Sequence, residues 1–495
     1  MATERAAEIE RWERIALALI LLVGLLVRAA WLAEARELPF FELPQTDDFV
    51  YARGAERIVS GDVWLSGETL RFGPPYFYLL ALVRAVLGPS TLAPRIVHLV
   101  LGGAVIPLVW WACRRLTEAR WAIGGALVAA LYGPAIFFEA LLLPETAMTL
   151  VHAALAVALL VAVGGERRAW AVTGALAGLA IALRPNTLLL IPALVWLARP
   201  REEGGRAASL RLSIGLAIGL TPLALRNLVA LGTPWGASTA GINAFLGNGP
   251  GATGGWRVPA EVPEAASPLG QFTGFRDAAA RALGHPVDDA AADRYWLART
   301  LDHVLGHPLD AGAVLLRKAH LFWNARELSN VVDYDFTCGL STTLSAPLVQ
   351  FGWIAPLALA GTVLLSRRER TREERAIAAL AWTAFAAVVL VFVQDRYRVV
   401  FVPWLVVAAV WAAREVVRRA REKKAGPIAL TAVAIFAAYP ALPVRAHTEQ
   451  RWAQLGLGYE QLHRDAEACA AFTRALALAP DLPVAREGRA RACGD

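Results

Sequence analysis

Cysteine is scarce in this chain, with Cys113, Cys338, Cys469 and Cys493 the four among 495 residues. None form a C-x-x-C pair, so the spacing of a cysteine zinc site is missing, and the eight histidines are too dispersed for a metal triad. Only Cys469 and Cys493 stand near enough to pair, given an oxidising compartment. Charge is also scarce: 18% of residues are charged against 57% hydrophobic, a balance too apolar for a soluble protein with one packed core. No basic run interleaved with aromatics lies on a polar stretch, which leaves nucleic acid a poor partner for the net charge of +7. The Gly-rich stretch "GINAFLGNGPGATGGWRVP" (241–259) lacks the Walker spacing with its Lys, and reads instead as a flexible loop over a mouth.

What is present is a series of long apolar runs. Eleven stretches approach the length of a membrane span: 15–33, 92–113, 121–139, 144–163, 170–184, 187–199, 209–230, 345–366, 376–394, 397–417 and 427–444. The sixth is short enough to be half of a re-entrant pair with the fifth. The first is long and lacks a small-x-small cleavage site, so it reads as an anchor. The fold expected is an all-α polytopic membrane protein of about eleven helices.

Alternate connections carry "RRLTEAR" (114–120), "GGERR" (164–168), "RPREEGGRAASLR" (199–211), "RRERTREER" (367–375) and "REVVRRAREKK" (414–424). The positive-inside rule makes all five cytoplasmic. The N-terminus is then inside, and the loops 34–91 and 231–344 and the tail from about 445 are outside. Abundant Ala, Arg and Gly against few Lys suggest a bacterial inner membrane.

The tail is a separate unit, 445–495, after a membrane domain 1–444. Its Trp452, Leu455, Gly456, Tyr459, Ala468, Phe472, Ala475 and Pro480 have the spacing of a tetratricopeptide repeat, a helical hairpin with small residues in the seam. One repeat cannot bury its own face, so it is expected to pack on the long outer loop, on another copy or on a partner protein.

Charges inside or at the edge of a bilayer are costly, and here they cluster at one level. Asp47 and Asp48 stand in the first outer loop; Arg95 and His98 open the second span; Glu139 and Glu145 flank "FFEALLLPE". Arg184 in "LRPN", Arg226 and Asn227 in "LRN", and Asp395, Arg396 and Arg398 in "QDRYR" complete the set. Arginines on the outer side, where the positive-inside rule makes them rare, call for an anion. A phosphate suits the guanidinium fork; the plainer reading pairs each arginine with a neighbouring acid or lets it snorkel. Asp47 or Asp48 is placed to act as a base, while Asp47 is also placed to cap a helix beginning near Phe49.

Residues 61–88 read as a short amphipathic helix, a turn and a Pro-led helix lying in the interface, with Trp64, Tyr76 and Tyr78 as anchors or sugar-stacking rings. Residues 315–336 begin as a basic-aromatic helix on the membrane surface, in which His320, Trp323, Asn324 and Glu327 either pack or face an acceptor.

The order of "DDFVY", "GPPYFYLLALVRAVLG", an outer "PE", an outer "RP" and a late "RYR" resembles the dolichyl-phosphate-mannose protein mannosyltransferases and the bacterial aminoarabinose transferases, glycosyltransferase family 39 with its C-type membrane fold. The resemblance covers about residues 10–420. It implies a polyprenyl-phosphate sugar donor and an inverting displacement, while the sugar and the acceptor, whether protein, lipid or glycan, do not carry over from it; arginines able to neutralise the phosphate leave no need for a metal or other cofactor. It also implies that an acid of the first outer loop, Asp47 or Asp48, is the base, and that Arg95, Arg184, Arg226, Arg396 and Arg398 hold the donor phosphate. Tyr51, Tyr76, Glu139, Glu145, Asn227 and Asp395 are further candidates. The family often has Asp-Glu where this chain has Asp-Asp, and the C-terminal repeat is foreign to the eukaryotic enzymes. A transporter or flippase, which predicts an internal repeat and midplane charge pairs that do not stand out here, and a membrane-anchored scaffold are the competing readings.

Overall fold

In a computed structural model, residues 10–44, 46–66, 71–199, 205–234, 239–266, 268–329, 331–423, 426–439 and 448–494 are described. They are helical throughout, apart from loops and one isolated bridge between Tyr132 and Val349. The end of the eleventh expected span, 440–444, and the start of the tail, 445–447, lie outside the described residues, as do 200–204 of the third basic connection.

The first half runs through α1 (Arg11–Ala35), α2 (Asp47–Val59), α3 (Pro74–Leu87), α4 (Ala93–Leu116), α5 (Ala119–Leu131), α6 (Gly133–Phe138), α7 (Glu145–Val163), α8 (Ala169–Leu183), α9 (Leu190–Ala198) and α10 (Gly205–Leu231). The long loop folds into α11 (Ala240–Asn248), α12 (Pro268–Leu283), α13 (Asp289–Gly306), α14 (Pro308–Trp323), α15 (Tyr334–Cys338) and α16 (Thr342–Ser345). The bundle is completed by α17 (Phe351–Leu365), α18 (Arg372–Val389), α19 (Asp395–Val399), α20 (Val402–Arg421) and α21 (Gly426–Ala438). The tail forms α22 (Thr448–Gln461), α23 (Asp465–Leu478) and α24 (Pro483–Cys493). Four helices, α1, α4, α7 and most of α10, are long and apolar enough to cross a membrane, and shorter apolar helices lie among them. Leu19, Leu22, Leu26, Val100 and Leu228 are exposed on these long helices, as a hydrocarbon solvent allows.

The five basic connections converge at one end of the bundle. Arg115 pairs with Glu373 at 2.7 Å, beside Gly164, and Arg414 pairs with Glu118 at 2.7 Å. Arg372 donates to the Leu197 carbonyl, bringing the third connection to the same end. A shared end is what a common sidedness requires.

Proline and glycine decide the local breaks. The expected span 121–139 is interrupted, because Pro134 has no N–H and its ring clashes with the carbonyl four residues back. That carbonyl, of Ala130, accepts instead from Arg28 at 2.7 Å, and Arg28 also pairs with Glu139 at 3.0 Å inside the bundle. Helices α8 and α10 touch backbone to backbone. A Cβ on Gly174 would stand 2.2 Å from the Leu212 carbonyl, and one on Gly215 2.0 Å from that of Ala171.

Two expectations for the loops change. Residues 61–66 turn instead of forming an amphipathic helix, and that helix is α2, one segment earlier. The Gly-rich stretch is helical over Ala240–Asn248 and becomes a loop only beyond it. In the tail Ala468, Phe472 and Ala475 are buried and Gly456 lies against the Phe472 ring, while Leu455 is half-exposed and Pro480 exposed. A third helix, α24, joins the pair, tied to α23 by a disulfide between Cys469 and Cys493.

Candidate active site

At the end of the bundle opposite the basic connections, an open cleft with about 1060 Å³ of empty space lies between the start of α2, the end of α8, α19 and the long loop. Each functional side chain arrives there for a local reason. Arg184 precedes a proline, which disfavours helical backbone; its φ of −152° and ψ of 114° end α8 and turn its side chain into the cleft. Gly73 lets the first loop press on this corner, since a Cβ there would stand 2.1 Å from the Leu183 carbonyl. Glu145 opens α7, where a carboxylate is favoured by the helix dipole, and accepts from Arg184 at 2.6 Å.

Helix α19 sorts the two arginines of "QDRYR". Residues two apart on a helix do not share a face. Arg396 enters the cleft and meets Asp47 at 2.5 Å, whereas Arg398 turns away to the Phe322, Asn324 and Arg326 carbonyls and to Glu327 at 2.6 Å. Tyr397 lies between, with the Arg184 guanidinium 4.5 Å and that of Arg396 5.1 Å from its ring centre. Two guanidinium groups are thus seated on one aromatic ring, a favourable arrangement for cations.

The adjacent acids face different spaces. Asp47 lines the cleft. Asp48 is buried beside it, and its Oδ1 accepts from the Thr46 N–H and hydroxyl and from the Phe49 N–H. Burial holds the Asp48 carboxyl above the ordinary Asp range, against the pull of these bonds. Neither acid caps a helix starting at Phe49: α2 begins at Asp47, and its N-cap is Thr46. Tyr51 lines the cleft one helical turn on, backed edge-to-face by Tyr76 at 4.8 Å, whose hydroxyl meets His98 at 3.0 Å.

Of the five arginines assigned to a phosphate, the structure brings Arg184 and Arg396 into the cleft and leaves three elsewhere. Arg95 is buried over the Phe41 ring and donates to the Phe41 and Ala140 carbonyls, tying the first loop to the bundle. Arg226 donates to the Trp64 and Leu65 carbonyls and to the Asn227 side chain, and Arg398 holds the end of α14. Glu139 belongs to the Arg28 pair. In the second loop segment Trp323 packs against Phe322 and Phe385, and Asn324 and Glu327 serve the Arg398 cluster. Cleft residues that sequence reasoning passed over are Arg71, Asn243, Trp256 and Tyr397. Arg71, immediately before the "FGPP" corner and paired with Asp289 at 2.6 Å, was the most legible of them.

Asp395 stands behind this wall, accepting from the Ser329 hydroxyl and, at 2.6 Å, from the Arg396 N–H. Burial, and next the charge of Glu327, push its carboxyl up to about 8 from the usual 3.8. A carboxyl raised on folding stabilises the fold fully below its ordinary value, and that contribution is lost as pH rises through about 8. The thermal midpoint of the wild type is therefore expected to fall on going from about pH 6.5 to 9, and Asp395→Asn to flatten that fall. Equal slopes for the two proteins would contradict the assignment.

Residues 72–225 match the family model of the dolichyl-phosphate-mannose-protein mannosyltransferases. The match bears out the resemblance read from the order of the motifs, and places the chain in the class of C-type membrane glycosyltransferase folds, helical and multi-pass. The matched segment carries Arg184 of the cleft and its partner Glu145; Asp47, Asp48 and Arg396 lie outside it. No curated protein matches the chain. Among solved structures, it is similar to the archaeal oligosaccharyltransferase AglB from Archaeoglobus fulgidus in complex with an inhibitory peptide and a dolichol-phosphate, at 14% identity and a TM-score of 0.47, covering 92% of this chain and 59% of that one. It is also similar to the Archaeoglobus fulgidus oligosaccharyltransferase tethered by a disulfide to an acceptor peptide with the NVT sequon, at 14% identity and a TM-score of 0.48, covering 93% and 59%. The chain thus spans 59% of the length of these enzymes.

Proposed function

We propose that this protein is an inverting glycosyltransferase that moves a sugar from a polyprenyl-phosphate donor to an acceptor hydroxyl, with the cleft at the outer face of the membrane and the basic end in the cytoplasm. The observation that carries the reading is the pair of Asp47 with Arg396 at 2.5 Å, beside Arg184 on the shared Tyr397 ring. Each of these groups has a use for a phosphate ester and a hydroxyl.

Arg396 and Arg184 take the phosphate oxygens through charge-assisted hydrogen bonds. Arg396 then trades its carboxylate for the phosphate, which frees Asp47 beside the reacting carbon. The acceptor oxygen attacks the anomeric carbon as the bond from that carbon to the phosphate oxygen breaks. The acceptor proton passes to Asp47, and polyprenyl phosphate leaves with the electron pair, its charge held by the two arginines. Glu145 keeps Arg184 oriented from the far side. Asp47 is the better base on geometry, because the carboxyl of Asp48 is engaged at the start of α2.

The test is transfer by purified protein in lipid vesicles, with radiolabelled polyprenyl-phosphate sugars as donors and membrane extracts as acceptors. Label is expected to move from at least one donor. A protein that binds no polyprenyl phosphate and transfers nothing across a broad panel of sugars is not this enzyme.

A further inference from the structure

At the basic end of the bundle, the end of α9 meets the start of α18 around a small pocket with about 250 Å³ of empty space. Trp196, Leu197, Arg199, Arg372 and Arg375 line it. Three guanidinium groups thus converge, and among the described residues no carboxylate shares the wall. The acids close by in the chain are engaged elsewhere. Glu373 takes Arg115 at 2.7 Å, and Glu374 accepts from the Thr371 N–H and from the Trp411 indole, each at 2.9 Å. Arg372 is fixed in the wall, donating to the Leu197 carbonyl with its guanidinium 6.0 Å from the centre of the Trp170 ring. The Nε of Arg375 is buried and, among the described residues, has no hydrogen-bond partner. A buried donor left unpaired is costly, so it points to an acceptor that comes from outside the protein.

The surfaces around the pocket say what that acceptor belongs to. Arginines without an acid among them suit a phosphate, whose oxygens take the guanidinium fork through parallel charge-assisted bonds. Beyond the arginines the surface is apolar, with Leu188, Leu189, Val195 and Trp196 exposed along α9 and the turn before it. Trp196 also lines the pocket and so joins the two surfaces, at the level where tryptophan favours the boundary of headgroup and hydrocarbon. A basic pocket that opens onto an apolar flank fits a phosphate head with hydrocarbon tails. A free phosphate leaves the flank unused, and a zwitterionic head brings a cation of its own towards the arginines.

We propose that this pocket binds the headgroup phosphate of an anionic phospholipid from the leaflet at the basic end, with the acyl chains lying along α9. Arg375 and Arg199 take the phosphate oxygens. Helix α9, nine residues long, is too short to cross a membrane by itself, and the lipid ties its end to α18. The site lies at the opposite end of the bundle from the cleft and requires only that the chain is embedded in a membrane, so it is independent of the transfer reaction.

The experiment counts, by native mass spectrometry, the lipids retained by the full chain in detergent during titration with phosphatidylglycerol or phosphatidylcholine. Wild type is expected to hold one phosphatidylglycerol about tenfold or more tighter than phosphatidylcholine. Arg199→Gln combined with Arg375→Gln is expected to lose that preference. Arg367→Gln combined with Arg421→Gln removes the same charge from exposed positions outside the pocket and is expected to keep it. Phosphatidylglycerol is also expected to raise the thermal midpoint of wild type and not of the pocket variant, as a ligand of the folded state does. If the double variant does not fold, Arg199→Gln alone, at an exposed position, takes its place. The proposal is overturned if wild type holds both lipids alike, or if the two double variants lose phosphatidylglycerol equally, the mark of diffuse attraction to a basic surface. Displacement of the lipid by millimolar inorganic phosphate also overturns it, because the pocket is then a site for a free anion.

Discussion

Asp47→Asn is expected to lower the rate of sugar transfer about a hundredfold to ten-thousandfold, the usual weight of a positioned general base. The amide keeps the shape of the carboxylate but cannot accept the acceptor proton. Donor affinity is not expected to fall with it. Asp47 pairs with Arg396, so on the proposed mechanism removing its charge leaves the arginine readier for the donor phosphate. The variant is thus expected to bind polyprenyl-phosphate sugar at least as tightly as wild type while failing to transfer it. Asp48→Asn provides the contrast, because its carboxyl is spent on Thr46 and Phe49 at the head of α2. If Asp48→Asn were the inactive protein and Asp47→Asn active, the base would be assigned to the wrong acid.

Arg396→Ala is expected to cost about a hundredfold to a thousandfold in kcat/KM, as does loss of a group that meets charge developing in a transition state. Donor affinity should fall as well, since the arginine meets the phosphate in the ground state too. Arg396→Lys should restore only part of either, because an ammonium cannot reproduce the two parallel bonds of a guanidinium. Arg398→Ala separates catalysis from architecture two residues away. It strips the end of α14 of its donor and leaves Glu327 buried without its partner, so it should lower the thermal midpoint. A protein in which Arg398→Ala abolishes donor binding at full stability, while Arg396→Ala is neutral, would reverse the assignment.

The breaks that build the cleft were partly legible along the chain. "RP" at 184–185 ends a helix wherever it occurs, and "PE" at 144–145 starts one with an acid in its first turn. The described residues of the eleven apolar stretches fall mostly on helix, and the five basic connections do share one end. Which arginines face the cleft was not legible. Arg95, Arg184, Arg226, Arg396 and Arg398 occupy similar positions near helix ends, yet three are consumed by backbone carbonyls from segments far away in the chain. The meeting of Asp47 with Arg396, 349 residues apart, has no local signature either.

The sequence by itself determined that this is a helical membrane protein, where its charges lie along the chain, and that an acid pair stands just beyond the first anchor, because apolar length and charge position are properties of short windows. The tertiary structure alone decided which of the two acids enters the cleft and which two arginines face it. Those are matters of side-chain direction and long-range contact. On a helix a displacement of one or two residues redirects a side chain to another face, and only the packed neighbours say what that face meets.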